Sequence, residues 1–95
     1  MHRVRLTDDA KADAARAYGW YFNRNPSAAY GFEAALQEAL NQIAEAPDRW
    51  ATFDDETRFH VFNRYPYYVV YYHDDRDVIV VAVAHGAQEA GYWKR

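Results

Sequence analysis

Three short apolar runs crowd the second half of the chain, and each is bounded by turn-forming residues. They are Thr57-Arg58-Phe59-His60-Val61-Phe62, Tyr67-Tyr68-Val69-Val70-Tyr71-Tyr72 and Val78-Ile79-Val80-Val81-Ala82-Val83-Ala84-His85. β-Branched and aromatic residues dominate all three, which is the composition of strands rather than of helices of this length. Pro66 precedes the second run, and a proline, lacking a ladder donor, belongs at a strand start. Asp74-Asp75-Arg76-Asp77 joins the last two runs as a hairpin turn. Short connections of this kind favour antiparallel neighbours, and the sheet they form must be covered by another layer.

The first half supplies that layer. Residues 1–6 alternate polar and apolar, with Val4 and Leu6 on one face, so a short first strand is predicted. Thr7 can cap a helix whose first turn holds Asp8 and Asp9, both favourable near its positive end. Ala10, Ala14, Ala17, Tyr18 and Tyr21 then share one helical face, ending near Phe22. Asn25 can cap a second helix with Pro26 in its first turn. The second apolar stripe is Phe32, Leu36, Ala39, Leu40 and Ile43, and it stops at Ala46-Pro47. So short a link predicts an antiparallel helical hairpin. Trp50 and Phe53, in the following loop, are expected to tuck against the core. The predicted architecture is α+β: an N-terminal strand, then a helical hairpin packed on an antiparallel sheet of about four strands.

Ninety-five residues leave room for one core, so residues 1–95 are read as a single domain. With no cysteine, neither disulfides nor thiolate metal sites are possible. No apolar stretch approaches the ~20 residues of a membrane-spanning helix, and residues 1–8 carry no apolar core of the signal-peptide kind. A cytoplasmic location with no membrane partner is the resulting expectation. The formal charge of −3 and a pI near 5.7 weigh against direct, extensive nucleic-acid contact, which depends on neutralising phosphates. Only Lys11 and Lys94 among the 11 basic residues are not arginine, so a local patch able to grip carboxylate or phosphate in two contacts is compatible with net acidity. The four histidines lack metal-ligand spacing, no phosphate-cradling loop is present, and no cofactor is expected.

The string Arg64-Tyr65-Pro66-Tyr67, the strand end Ala82-Val83-Ala84-His85 and the closing Gly91-Tyr92-Trp93 together resemble the RelE/ParE family of bacterial toxins, the toxin halves of type II toxin–antitoxin pairs. Arg58, near the start of the second strand, belongs to the same pattern, and the resemblance covers nearly the whole chain. It implies the strand–helix–helix–three-strand order read above. It also implies a cognate antitoxin as partner, higher-order toxin–antitoxin assembly, and one of two targets, DNA gyrase or the ribosome.

In the RNA-cleaving members a ribose 2′-OH attacks its own phosphate, which calls for a proton acceptor, positive charge and an acid for the leaving oxygen. The only candidates for those roles are Arg58, Arg64, His85 and Tyr92. Relatives with the His…Tyr-Trp tail commonly carry arginines between those residues; Ala87, Gln88 and Glu89 stand there instead. Replacing cations with a carboxylate works against holding a scissile phosphate. The tyrosines at 67, 68, 71 and 72 fall two to each face of their strand, one face core and the other solvent or partner. Tyr67, Tyr71, Tyr92 and Trp93 are the partner-binding candidates, since tyrosine and tryptophan are enriched where proteins meet. The resemblance therefore implies a ParE-like toxin that binds a protein target, with gyrase suggested. The alternatives are a RelE-like ribosome-dependent mRNA endonuclease and a degenerate homologue that binds antitoxin without toxicity.

Overall fold

Thr7 caps the first helix as its position predicts: its extended backbone lets the hydroxyl oxygen accept the Ala10 N–H at 3.1 Å. The computed structural model describes residues 1–94; Arg95, the last residue of the tail, lies outside the described residues. The elements follow the order β1 (Arg3–Leu6), α1 (Asp8–Arg24), α2 (Pro26–Glu45), β2 (Arg58–Val61), β3 (Tyr67–His73) and β4 (Asp77–His85), with a short 3₁₀ turn at Tyr92–Lys94. Asn25 ends α1 and opens α2, its side chain accepting the Ser27 N–H at 3.1 Å. Helix α1 runs two residues beyond the apolar stripe, because Asn25 is the first position whose backbone leaves the helical region.

The four strands form one sheet in the order β1-β4-β3-β2. β2 with β3 and β3 with β4 are antiparallel, but β1 lies parallel to β4, Leu6 opposite Val80. The expectation of a wholly antiparallel sheet is corrected here, and the chain path gives the reason. The hairpin of α1 and α2 returns the chain to the end where β1 began, as the bond from His2 N–H to Ala44 O at 3.1 Å records. β2 therefore sets out in the direction of β1, β3 reverses it, and β4 reverses it again.

One apolar cluster lies between helices and sheet. Ala10 and Ala17 of α1 and Phe32, Leu36, Ala39, Leu40 and Ile43 of α2 meet Val69, Tyr71, Val78, Val80 and Val83. The stripe read for α2 is buried in full. Ala14, Tyr18 and Tyr21 of the α1 stripe, and Trp50 from the loop, are partly buried against the same cluster. Pairing between β3 and β4 slips where Val70 faces Ala82 and Tyr71 faces Val80, leaving Val81 over as a bulge. The extra residue lets Val78, Val80 and then Val83 all face the helices.

The opposite face of the sheet is covered as well. Val70, Ala82 and Ala84 point away from the helices and are fully buried. Over that face the tail lays Trp93, whose ring lies 5.0 Å from that of Phe53 and 6.2 Å from that of Tyr68. Lys94 fixes the tail end through an ion pair with Asp54 at 2.5 Å, and the Lys94 ammonium and neighbouring N–H groups hold the Asp54 carboxyl below its ordinary range. Phe53 thus packs on the tail rather than on the main core.

Candidate functional site

β1 ends at Leu6 while β4 continues to His85, so half of β4 has no strand beside it on that flank. Helix α1 starts where β1 stops and runs over the uncovered half. The N–H groups on this edge then need other acceptors, because a buried unpaired donor is costly. Asp13 supplies one: its Oδ2 accepts the Val83 N–H at 3.0 Å. Gln88 supplies the second, its Oε1 accepting the His85 N–H at 2.8 Å.

Asp13 is the hub of the region and is only 9% exposed. The same Oδ2 accepts the Tyr92 hydroxyl at 2.8 Å, and Oδ1 accepts Arg16 Nη2 at 2.7 Å. One carboxylate thereby ties a helix, a strand and the C-terminal tail together. Burial, and then the hydrogen bond to Asp13, push the Tyr92 phenol well above its usual range. Beside this hub opens a cleft of about 470 Å³ whose walls include Arg16, Trp20, Tyr21, Tyr67 and His85.

The structure gathers some of the residues singled out from sequence and scatters the rest. His85 and Tyr67 share the cleft, their rings edge to face at 4.9 Å, and Tyr92 reaches its floor through Asp13. His85 Nδ1 accepts the Ala87 N–H at 2.9 Å, so that nitrogen is engaged in closing the turn after β4. Burial, and then the nearby Tyr21, raise the Tyr67 phenol. Arg58 lies on the far edge strand, its Nη1 donating to the Trp50 carbonyl at 2.6 Å. Arg64 is exposed in the turn before β3, with a left-handed φ of 72°. Neither arginine lines the cleft.

Tyr71 is not available to a partner, which corrects its place among the interface candidates. It is fully buried, with its hydroxyl donating to Pro47 O at 2.5 Å and its pKa pushed up by burial to about 12. Tyr67 and Tyr71 both belong to the helix-facing side, and Tyr72 on the other side is the exposed one. Trp93 is half-buried, and its indole N–H is enclosed without an acceptor. Tyr92 and Trp93 are thus built into the fold, as cover for the sheet edge and for its second face.

Asp13, Arg16 and Trp20 were not among the residues picked out from sequence. Asp13 did carry a signal, since it sits three residues after Ala10 and four before Ala17, inside the apolar stripe of α1. A carboxylate there must be either paired or a break in the stripe. Among the described residues no group of three or more His, Asp or Glu side chains is placed to hold a metal ion. Among the described residues no helix is long and apolar enough to cross a membrane.

Residues 4–90 match the family model described as ParE toxin of type II toxin-antitoxin system, parDE. The chain belongs to this family. Among solved structures, a chain of the chromosomal ParDE TA system from P. aeruginosa superimposes with a TM-score of 0.77 at 16% sequence identity, covering 90% of this chain and 96% of that one. At that identity the likeness establishes the shared fold. No curated protein matched the chain.

Chemically, the cleft of this ParE-type toxin is suited to binding. Its floor is a carboxylate, and its phenolic acid is locked to that carboxylate and held above its usual range. Two of the four sequence candidates for phosphate chemistry, Arg58 and Arg64, lie elsewhere. Of Ala87, Gln88 and Glu89, which stand where the resemblance leads one to expect arginines, Gln88 is spent on capping a strand N–H.

Proposed function

We propose that this chain poisons its host by binding a protein rather than by cleaving RNA, that DNA gyrase is the target, and that a cognate antitoxin neutralises it. The observation that carries the choice is the Asp13–Tyr92 bond. It engages the tyrosine that a nuclease would need as an acid with a carboxylate, and a negative charge beside that tyrosine works against holding a phosphate there. Membership of the ParE family supports a toxin role and an antitoxin partner. Gyrase is the target suggested by resemblance, and it puts the site of action in the bacterial cytoplasm. Assembly with antitoxin into a larger complex follows from the same resemblance.

The test is a pulse-labelling time course after inducing the chain alone in a bacterial host, joined to a supercoiling assay with purified gyrase. DNA synthesis should fall before protein synthesis, and purified toxin should inhibit supercoiling. A first fall in translation, with mRNA cut on ribosomes, would overturn the proposal in favour of a nuclease using His85. Unchanged synthesis of both would assign the chain to antitoxin-binding homologues without toxicity.

A further inference from the structure

One row of side chains crosses the sheet on the face turned away from the helices. Arg5 of β1 pairs in register with Ile79 of β4, and Ile79 with Tyr72 of β3. Arg58 stands opposite Tyr71, so the preceding residue, Thr57, continues the row opposite Tyr72. Alternation fixes the side: Val4, Val78 and Tyr71 pack on the helical core, so their neighbours Arg5, Ile79 and Tyr72 point the other way. Beside Thr57 stands Glu56, which shares a hollow of about 390 Å³ with Tyr72 and Val81. A second hollow, of about 670 Å³, joins the same Tyr72 to Ile79, Arg5 and Lys11. The row thus runs from a basic margin through Ile79 and Tyr72 to an acidic one.

The C-terminal tail leaves this part of the face open. Trp93 packs near Tyr68 and Phe53, whereas Tyr72 is 47% exposed and Arg5 and Glu56 are exposed as well. Ile79 and Val81 are only half-buried. Among the described residues neither Arg5 nor Glu56 takes part in an ion pair. In the hollow beside Glu56, Asp54 and Lys94 neutralise each other, so the net charge there is that of Glu56. In the other hollow both charged side chains, Arg5 and Lys11, are cations. An aromatic and aliphatic centre with unspent charge at its margins has the make-up of a small interface.

The order of the row decides the occupant. We infer that this face pairs with the same face of a second copy of the chain. A two-fold axis lying between the two sheets and running along their strands sets each end of one row over the opposite end of the other. Arg5 then meets the partner's Glu56, Ile79 meets the partner's Tyr72, and symmetry repeats both contacts. A face with the same charge at both margins would repel its own copy; this one carries its own complement. Strands about 4.8 Å apart make the four-stranded face only about 14 Å wide, so the association belongs to the weak, concentration-dependent class that buries on the order of 1,000 Å² or less. Tyr67, a wall of the cleft, lies on the helix side, so pairing leaves the cleft open and the inference is independent of the toxin's target.

The test is sedimentation equilibrium of the intact chain, in which monomer and dimer should exchange over roughly 10–500 μM. Arg5→Glu and Glu56→Arg should each weaken self-association about tenfold or more, because each sets like charges against one another at both margins. Mixed in equal amounts, the two variants should pair again at near wild-type strength, since one then has acids at both margins and the other cations at both. Tyr72→Ser, which leaves the charge unchanged, should also weaken the dimer about tenfold by removing its central contact. All three positions are exposed, so melting temperatures should stay near wild type, and a folding defect is separable by circular dichroism. A chain that stays monomeric throughout would overturn the inference and leave the face to a different partner. A dimer indifferent to both charge reversals would overturn it by placing the contact elsewhere, and variants that fail to rescue each other would rule out the pairing of Arg5 with Glu56 on which it stands. Because the readout is self-association, a failed gyrase assay leaves this result standing, and the reverse holds too.

Discussion

Removing the Asp13 side chain should do damage that its amide counterpart does not. In Asp13→Ala the Val83 N–H, whose bond to Asp13 is buried, loses its acceptor, at about 1–3 kcal/mol for a buried unpaired donor. The Tyr92 hydroxyl loses its partner as well, worth about 1 kcal/mol. Together these give about 2–4 kcal/mol, a large share of the ~5–15 kcal/mol that holds a typical domain folded. For a chain of this size that corresponds to roughly 10–25 °C in melting temperature. Asp13→Asn is different because both buried bonds converge on one oxygen, Oδ2. An amide oxygen in that position accepts both. Only the contact with Arg16 is lost, and with the Arg16 side chain 69% exposed such a pair is worth at most about 1 kcal/mol.

The assay is urea denaturation of the purified variants, followed by circular dichroism, with Tyr92→Phe completing a cycle. Tyr92→Phe alone should cost about 1 kcal/mol, and close to nothing when added to Asp13→Ala, because the bond it deletes is already gone. An Asp13→Asn variant as unstable as Asp13→Ala would refute the reasoning, since it would mean that the negative charge itself matters. Full additivity in the cycle would show that Tyr92 and Asp13 are not coupled.

Four further outcomes follow from other parts of the structure. A Cβ at Gly31 would lie 2.3 Å from the Tyr65 hydroxyl, which donates to Ala28 O; Gly31→Ala should cost about 1–3 kcal/mol, whereas Gly19→Ala, with nothing within 4 Å, should stabilise α1 by up to about 1 kcal/mol, both read by thermal denaturation. Burial holds the His60 imidazole below its ordinary pKa of 6.5, so the unfolded chain takes up its proton first; stability should fall as pH drops below about 6.5, and His60→Gln should flatten that slope in denaturation at several pH values. Tyr71→Phe should cost about 1–3 kcal/mol by stranding the Pro47 carbonyl that its hydroxyl now bonds.

The helical hairpin was legible in the sequence because its signals are local. Thr7 and Asn25 act as caps within three residues, and the α2 stripe repeats at the helical period. The direction of β1 was not legible in this way. A strand's partner depends on how many times the chain has reversed before it returns, and the returns made by α1, α2, β2 and β3 set β1 parallel to β4. The tyrosine faces of β3 were half legible. Alternation correctly pairs Tyr67 with Tyr71, but it does not say which face the helices cover, and the fully buried side chain of Tyr71 shows that they cover this one.

The site escaped the sequence for a related reason. Its chemistry is organised by the mismatch in length between β1, which ends at Leu6, and β4, which continues to His85. That mismatch creates donors needing acceptors, and it dictates that a helix residue and a tail residue provide them: Asp13 for Val83 and Gln88 for His85. In sequence, Gln88 reads as an arginine lost from a catalytic cluster; in three dimensions it caps the His85 N–H. A restored arginine there would have no acceptor to offer that N–H. Gln88→Arg should therefore loosen the turn after β4 before it adds useful charge to the cleft. Recovering nuclease activity along that route would require the strand edge to find another cap.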